Sequence, residues 1–438
     1  MDESQQTIKK EASQEIKKLV ELFSLNNLNV PLYQRPYKWE AKNVIQLLDD
    51  IFENLISKEK SYRVGSLIVH YEHNKKKNQD ELNIVDGQQR LTTISILLYH
   101  LGIESKLLMN QEYKQQISKD NIVYNSRVIQ NWLTNIADKE KFKQLLLEKC
   151  EFVLFTVYEQ DEAFQLFDSQ NSRGKALEAY DLLKAFHLRE MEFDTEKDKI
   201  INVENWEKSV DDGELKPILG NHLYKIRKWV RGEHKYDFTK NDIDEFKGIS
   251  LHKEQQYPYE RSLRMLDLFV NNSQNENSYP FSITMPIING KRFFEYVNYY
   301  IQFKKDLFKE SEFSEFYKQY ALSYHRSTRT GDWKVRNLYE NILLLYLDKF
   351  GNIDFNDFQK AIFRAVYTIR CNNKSIRLES ILNSKEIKIL QEINDSLIPE
   401  KLKKYQYKNH HITKQDNEMV NGIIFIKKYI IESEFHKN

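Results

Sequence analysis

The sequence predicts an α+β protein in which a small mixed sheet near the N-terminus is followed by a large, mainly helical body. The four candidate strands all lie before residue 160, and beyond that point apolar residues recur at helical spacing. The 438 residues include only 12 glycines and 7 prolines, which favours long helices over a loop-rich architecture.

Composition restricts the class of protein. A chain that is 40% hydrophobic, 13% aromatic and 30% charged can form packed cores. Lys and Arg number 66 against 65 Asp and Glu, so the net charge of +1 does not by itself indicate a nucleic-acid-binding protein. Cys150 and Cys371 form no CxxC pair, which argues against a disulfide framework or a zinc cluster. With a polar N-terminus and no run of about 18 apolar residues, we expect a cytoplasmic protein without a membrane span.

We expect residues 1–192 to form the first domain, since all candidate strands lie there. Prolines 31 and 36 exclude a helix interior between them, so that stretch is expected to be extended. In chain order, the expected elements are a helix over 1–24, an extended stretch over 29–39, a helix over 41–56, a strand over 62–71, a polar loop over 72–80, a strand over 82–85, helices from 95 to 147 with breaks near Gly102 and Asp120, a strand over 151–158 and a helix over 177–191.

The rest of the chain is expected to be helical. A polar stretch near residues 309–335 suggests a boundary, so we predict a helical middle region over 193–312 and a C-terminal helical domain over 313–438. No internal repeat of fixed period is present.

Residues 84–93, Ile-Val-Asp-Gly-Gln-Gln-Arg-Leu-Thr-Thr, read as the end of a strand, a glycine turn and the start of a helix. The first N–H groups of a helix have no internal partner and lie at its positive end, so this turn can bind an anion. Arg90 adds a fork suited to phosphate, and Asp86 could orient the arginine, a sugar hydroxyl or a magnesium-bound water. The alternative is a plain turn in which Asp86 pairs with Arg90.

Residues 33–39, Tyr-Gln-Arg-Pro-Tyr-Lys-Trp, form a second candidate stretch. Proline stiffens it and aromatic residues flank Arg35, an arrangement that can present a cation beside a stacking surface for a nucleotide or a flipped base. The alternative is an edge segment that buries Tyr37 and Trp39 in a core and holds Arg35 in a structural ion pair.

Residues 171–175, Asn-Ser-Arg-Gly-Lys, form a third candidate, a polar and cationic loop able to hold phosphate oxygens. It is not a Walker loop, because the pattern GxxxxGK[ST] does not occur. In the following helix, Asp181 and Lys184 could face this site, although an i,i+3 surface pair is the more economical explanation.

Together these stretches resemble a known family. The order Pro31-x-Tyr33-Gln34-Arg35-x-Tyr37-x-Trp39, Gly65-Ser66, the 84–93 stretch and Asn171-Ser172-Arg173-Gly174-Lys175-x-Leu177-x-x-x-Asp181-Leu182-x-Lys184 is similar to the N-terminal, ParB/sulfiredoxin-like domain of GmrSD-type modification-dependent restriction proteins. The same domain occurs in the SspE-type effector of phosphorothioate-sensing phage defence. The resemblance covers roughly residues 25–190, and the helical remainder is a weaker match.

The resemblance implies a site that binds and hydrolyses an NTP, ATP or GTP, with Mg²⁺. Phosphoryl transfer needs positioning and charge neutralisation more than covalent catalysis, and either Gln88 or Gln89 could orient the attacking water. Asp86 is also the candidate metal ligand, through water. The implied site comprises the catalytic residues Asp86, Gln88, Gln89 and Arg90, the phosphate-binding residues Arg35, Gly87, Thr92, Asn171, Ser172, Arg173, Gly174 and Lys175, and the supporting residues Tyr33, Gln34, Tyr37, Trp39, Asp181 and Lys184.

The chain departs from the family at its C-terminal end. Relatives that cut DNA unaided carry an HNH-type nuclease domain, and Asn409-His410-His411 lacks the His-x-x-Pro start of that domain, so we interpret it as a polar loop between helices. We therefore expect DNA, modified or not, and a separate HNH-type nuclease subunit as partners, with a homo-oligomer left open. The alternative is a non-catalytic ParB-like DNA-binding sensor. A self-sufficient nuclease is disfavoured, because the 84–93 stretch offers Asp86 as its one evident metal-binding carboxylate.

Overall fold

The computed structural model divides the chain into two compact units. The first consists of Met1–Leu188 with Asp194–Glu204, and the second of Arg189–Phe193 with Asn205–Asn438. The α+β class is confirmed, with the sheet in the first unit and helices throughout the second. The residues that the structure describes are 12–25, 27–74, 78–105, 107–159, 162, 166, 178–192, 194–251, 257–272, 282–322, 330–373, 375–406, 412 and 423–435.

A five-stranded mixed sheet organises the first unit. Its order is β1-β5-β3-β4-β2, with β3 antiparallel to β4 and parallel to β5. The edge strand β1 is antiparallel to β5, and β2 is parallel to β4. The strands are Ser13–Lys18 (β1), Leu28–Asn29 (β2), Tyr62–Asn74 (β3), Gln79–Asp86 (β4) and Cys150–Val157 (β5).

The helices of the first unit that lie before residue 150 pack on the sheet through one continuous apolar core, in which Leu67 of β3, Ile84 of β4 and Leu97 are fully buried. This core fixes the ends of β3 and β4 against the helix that follows β4. The helices are Ala41–Phe52 (α1, extended by a π-helical turn over Glu53–Ser57), Gln88–His100 (α2), Gln116–Leu133 (α3), Lys139–Lys149 (α4) and Ala179–Arg189 (α5), with short 3₁₀ turns over Leu19–Ser24 and Leu108–Asn110.

The prediction of a helix over residues 1–24 is wrong for its described part, residues 12–24. Ser13–Lys18 instead pairs with β5 along the edge of the sheet, and a 3₁₀ turn over Leu19–Ser24 buries Leu19 and Leu22. Leu19 and Leu22 lie three residues apart, a spacing that a 3₁₀ turn satisfies as well as an α-helix. The backbone partners that β5 offers decide the conformation, and a local pattern cannot reveal them.

Two predicted boundaries also shift. The break expected near Asp120 falls inside α3, and the chain breaks instead before α4, whose N-cap Asp138 accepts a hydrogen bond from the Lys141 amide at 2.9 Å. In the described part of the polar loop expected over 72–80, residues 72–74 and 79–80 are strand. Cross-strand polar contacts extend the β3–β4 hairpin, such as that between His73 Nδ1 and Asp80 Oδ1 at 2.8 Å.

The second unit is helical in its described ranges. It includes residues from both predicted helical regions, 193–312 and 313–438, whose separation stays a prediction. None of the helices in the described ranges is long and apolar enough to cross a membrane. From Glu196 onwards the α-helices are Glu196–Asp211, Leu215–Pro217, Tyr224–Trp229, Tyr259–Asn272, Lys291–Lys305, Ser314–Phe316, Thr330–Phe350, Phe355–Asn372, Leu378–Leu382, Lys388–Asp395 and Ile423–Phe435, with π-helical turns over Ile218–Leu223, Asp306–Glu310 and Tyr317–Leu322 and 3₁₀ turns over Lys240–Phe246, Lys385–Ile387 and Pro399–Tyr405.

A buried lysine lies inside the second unit. Lys225 is only 1% exposed and donates a hydrogen bond from Nζ to Asn337 Oδ1 at 2.9 Å. Its ammonium lies 3.4 Å from the centre of the Tyr236 ring and 4.9 Å from that of Trp333, so aromatic faces replace part of its hydration. Burial nevertheless lowers the pKa of Lys225 to about 7.

We predict that Lys225→Met flattens the pH dependence of stability. Between pH 7 and the ordinary lysine pKa, the unfolded chain holds a proton on Lys225 that the folded chain does not, so the free energy of unfolding rises with pH in that window. Thermal unfolding midpoints measured from pH 7 to pH 10 should therefore rise less in Lys225→Met than in the wild type. Parallel profiles for the two proteins would contradict this prediction.

Candidate functional site

The strand, glycine turn and helix start expected at residues 84–93 are present. β4 ends at Asp86 and α2 begins at Gln88, with Gly87 between them at φ 94°. A Cβ on Gly87 would lie 3.0 Å from the Ser66 carbonyl oxygen and 3.1 Å from Leu67 Cδ1, which is tighter than an ordinary contact, and side chains rarely adopt this φ, so the turn favours glycine. The first helical hydrogen bond runs from the Leu91 amide to the Gly87 carbonyl, at 2.9 Å. The three preceding amides therefore have no partner inside the helix.

Arg90 turns back from α2 onto the end of β3. Its Nη2 donates to the Ser66 carbonyl oxygen at 3.0 Å and to Asp86 Oδ2 at 3.1 Å. Ser66 Oγ also donates to Asp86 Oδ2, at 3.2 Å. The Asp86–Arg90 pair of the alternative interpretation thus exists, but it uses one nitrogen of Arg90 and one oxygen of Asp86. Within the described residues, Arg90 Nε and Nη1 and Asp86 Oδ1 make no hydrogen bond.

Gly65 provides the space that the Arg90 side chain occupies. Its φ of +141° lies in a region that other residues rarely adopt, and a Cβ built there would lie 2.0 Å from Arg90 Nη1. The guanidinium therefore occupies the space that a side chain at position 65 would fill. Gly65 and Ser66 belong to the site because Gly65 leaves space for the Arg90 guanidinium and the Ser66 carbonyl oxygen accepts a hydrogen bond from it.

The two glutamines at the start of α2 have different environments. Gln89 Nε2 donates to the Pro36 carbonyl oxygen at 3.0 Å, and Gln89 Oε1 accepts from the Lys38 amide at 2.9 Å. Gln88 is only 4% exposed, yet its Oε1 is buried and accepts no hydrogen bond from any described residue. The amide of Gln89 is therefore already used within the protein, whereas Gln88 offers an unsatisfied acceptor at the start of α2.

The stretch over residues 33–39 lies against this turn. Gln34 Nε2 donates to the carbonyl oxygens of Ile84 and Val85, each at 2.8 Å. Gln89 binds the backbone of Pro36 and Lys38 in the same stretch, so the backbone of Arg35 lies between two anchored neighbours, Gln34 and Pro36. Two of the three predicted stretches are thus in direct contact. Tyr33 is half-buried in the same stretch.

The aromatic residues of this stretch are structural. Tyr37 is fully buried, and its hydroxyl lies 2.8 Å from Thr93 Oγ1, while burial raises its pKa. Trp39 packs half-buried against the core of the first unit. Both residues follow the alternative interpretation, in which they pack into the core and anchor the stretch.

Arg35 joins the second stretch to α5, the helix that carries Asp181. Its Nη2 donates to Asp181 Oδ2 at 2.6 Å, and the two side chains are 33% and 9% exposed. Asp181 also accepts from the Glu178 amide at 2.9 Å, which caps the start of α5. The favoured interpretation of Asp181 and Lys184 as a surface pair is wrong, because Asp181 pairs with Arg35 and Lys184 is fully buried. A helical spacing indicates which residues share a face but not whether that face is exposed.

Three polar residues of α3 also bind this stretch, although their sequence pattern did not predict it. Ser118 Oγ accepts from the Tyr37 amide at 3.0 Å, and Asn121 Nδ2 donates to the Tyr37 carbonyl oxygen at 2.8 Å. Asn125 Nδ2 donates to the Trp39 carbonyl oxygen at 2.7 Å. The spacing i, i+3, i+7 of small polar residues on one helical face was the available signal.

The remaining predicted residues lie elsewhere. Thr92 is buried one turn into α2, where its Oγ1 lies 2.7 Å from the Tyr113 hydroxyl. It lines a cavity of about 300 Å³ together with residues that include Ser95, Ile96 and Tyr99. Asn171, Ser172, Arg173, Gly174 and Lys175 lie outside the described residues, as do His410 and His411.

The candidate site offers the carboxylate of Asp86 to a metal ion. Among the described residues, no group of three or more His, Cys, Asp and Glu side chains could enclose a metal ion. Mg²⁺, however, needs only one or two carboxylates when phosphates of a substrate complete its shell. Asp86 Oδ1 is free of hydrogen bonds to described residues and fits that requirement.

Comparison with known protein families agrees with this architecture. Residues 16–188 match the family model described as GmrSD restriction endonuclease, N-terminal domain, which confirms the resemblance and implies a part in a restriction system. Residues 198–421, more than half of the chain, match a family of unknown function, DUF7834. The chain belongs to the DUF7834 family. Its C-terminal region matches that family and not a recognised HNH domain. A search of curated proteins found no match.

Gly65→Ala is predicted to displace Arg90. The added Cβ makes the far end of the Arg90 side chain move, which breaks its hydrogen bonds to Ser66 and Asp86, so we expect a loss of about 1–2 kcal/mol in the free energy of unfolding. If the site binds phosphates, the binding of tripolyphosphate should weaken as well. Gly102→Ala is the matched control, because Gly102 also has a positive φ, of +67°, but has nothing within 4 Å of the added atom. Equal losses in the two variants, measured by urea unfolding and calorimetric titration, would contradict the steric explanation.

Proposed function

We propose that the first unit binds an NTP with Mg²⁺ at the start of α2 and hydrolyses it, within a restriction or phage-defence system that includes a separate nuclease. The observation that supports this most directly concerns the described residues at the start of α2. Among them, the buried Gln88 Oε1 accepts no hydrogen bond, the first amides have no partner inside the helix, and Arg90 Nε and Nη1 make no hydrogen bond. An acceptor, several donors and a cation at one helix start match a phosphate group and an attacking water.

In this proposal the phosphates lie at the start of α2. The unpaired amides and Arg90 neutralise their charge, and Arg35 contributes a second guanidinium from the anchored stretch. Mg²⁺, when bound through Asp86 and the phosphates, supplies charge neutralisation for the leaving group. Asp86 and Asp181 hold the two guanidiniums in place before the substrate arrives.

Gln88 is the residue proposed to orient the attacking water. Its Oε1 can accept a hydrogen bond from that water, while both amide atoms of Gln89 already bind Pro36 and Lys38. The water oxygen bonds to the γ-phosphorus, the bond from that phosphorus to the bridging oxygen breaks, and the water proton passes to phosphate. The two glutamines, indistinguishable in sequence, are thus given different roles.

DNA and a nuclease subunit complete the proposed system. The matched N-terminal domain is described as part of a restriction endonuclease, and the C-terminal half matches a family of unknown function. We propose that the energy of NTP hydrolysis is coupled to a DNA-cleaving partner rather than to cleavage by this chain.

Arg90→Ala and Asp86→Ala are expected to lower kcat/KM for NTP hydrolysis by about 100-fold, because each removes a charge that acts on the phosphates. The measurement is release of inorganic phosphate from ATP and GTP with Mg²⁺ by the purified full chain. Equal turnover in the wild type and both variants would remove the enzymatic proposal. Salt-sensitive DNA binding that is indifferent to NTP would then favour the non-catalytic sensor.

Gln88→Ala and Gln89→Ala should separate catalysis from stability. We expect Gln88→Ala to lower kcat by about 100-fold with little change in the free energy of unfolding, since its Oε1 bonds to no described residue. Gln89→Ala loses two hydrogen bonds and should lower the free energy of unfolding by about 2 kcal/mol. A larger loss of kcat in Gln89→Ala than in Gln88→Ala would reverse the assignment.

A further inference from the structure

The backbone of residues 36–39 depends on side chains for its hydrogen bonds. These residues belong to no strand, and Pro36 has no amide proton. The Tyr37 amide and the carbonyl groups of Tyr37 and Trp39 bond instead to Ser118, Asn121 and Asn125 of α3, at 2.7–3.0 Å. Removal of these α3 side chains would leave buried polar groups without partners.

The α3 residues that bind residues 37–39 are polar at positions where a helix packed against a core usually has apolar residues. Ser118 and Asn125 are both fully buried. Asn125 Nδ2 also donates to the Tyr37 hydroxyl at 3.2 Å, while Asn125 Oδ1 is buried without a partner among the described residues. An apolar residue at position 125 would avoid this unsatisfied oxygen, so packing alone does not account for asparagine there.

Arg35 is the residue whose position these contacts determine. On its N-terminal side, Gln34 is tied to the carbonyl groups at the end of β4, and on its C-terminal side Gln89 holds Pro36. The contacts from α3 begin at the next residue, Tyr37. The Arg35 backbone therefore has little freedom relative to the turn that precedes α2, although its side chain remains one-third exposed.

We propose that Ser118, Asn121 and Asn125 are positioning residues that fix Arg35 for contact with the phosphates of the bound nucleotide. This inference rests on the proposed NTP-binding function, which it deepens by adding α3 to the machinery of the site. The three side chains bond the stretch that carries Arg35 and act through it. Small displacements of a positioned charge reduce catalysis strongly, so loss of these contacts lowers activity without removal of any ligand-binding group.

A double-mutant cycle tests the proposal. We expect Asn125→Ala to lower kcat/KM for NTP hydrolysis about tenfold in the wild-type background and less than twofold in an Arg35→Ala background. The matched control is Asn131→Ala, which replaces an exposed asparagine of the same helix and should leave kcat/KM unchanged in both backgrounds. The same factor in both backgrounds would show a general structural role and overturn the proposal.

A second readout does not depend on hydrolysis. Hydrogen exchange at the Tyr37 and Lys38 amides should accelerate at least tenfold in Asn125→Ala, while exchange in the middle of α2 stays unchanged. Unaltered exchange at Tyr37 and Lys38 would overturn the positioning role. If Asn125→Ala does not fold, Asn121→Ala replaces it, since Asn121 is half-buried and gives the stretch a single bond.

The two proposals fail in different ways. A wild-type chain that neither binds nor hydrolyses NTP refutes the proposed function and this inference with it. A wild-type chain that hydrolyses NTP, with equal effects of Asn125→Ala in the two backgrounds, refutes only the positioning role.

Discussion

The backbone of residues 33–39 is the constraint on which the first unit depends. It belongs to no strand, contains a proline and must still lie in a partly buried position, so its polar groups need partners from side chains. Those partners come from α2 through Gln89 and from α3 through residues such as Asn125, while Gln34 of the stretch itself reaches the carbonyl groups that end β4. One irregular stretch therefore joins a strand and two helices, and the candidate site forms where they meet.

Charge at this site is balanced in pairs. Arg35 faces Asp181, and Arg90 faces Asp86, so each cation proposed to bind phosphate already has an anion beside it. These pairs keep two guanidiniums ordered at modest electrostatic cost, because neither charge is left alone in a partly buried environment. A magnesium-bound triphosphate carries both signs of charge and can satisfy the carboxylates and the guanidiniums together, which free phosphate cannot do.

Much of this organisation could be predicted from the sequence, for specific reasons. The turn at Gly87 was identifiable because a strand pattern, a glycine and a helix pattern follow one another within ten residues, and such local signals are strong. The β1 strand could not be predicted, because its extended conformation depends on β5, which lies more than 130 residues away in sequence. The different hydrogen-bond environments of Gln88 and Gln89 could not be predicted either, since adjacent identical residues differ only in which way their side chains point. Asn125 was missed because buried polar residues on a helix give no periodic apolar signal.

The arrangement at Gly65 also bears on how such proteins diverge. The guanidinium of Arg90 fills the volume that a side chain at position 65 would need, so a side chain there would displace the end of Arg90 from the end of β3. Loss of Arg90 would leave room for a side chain at position 65, and gain of a side chain there would displace the guanidinium from its present position. Paired substitution at positions 65 and 90 would therefore mark relatives that keep the fold but lack the contact between Arg90 and the end of β3.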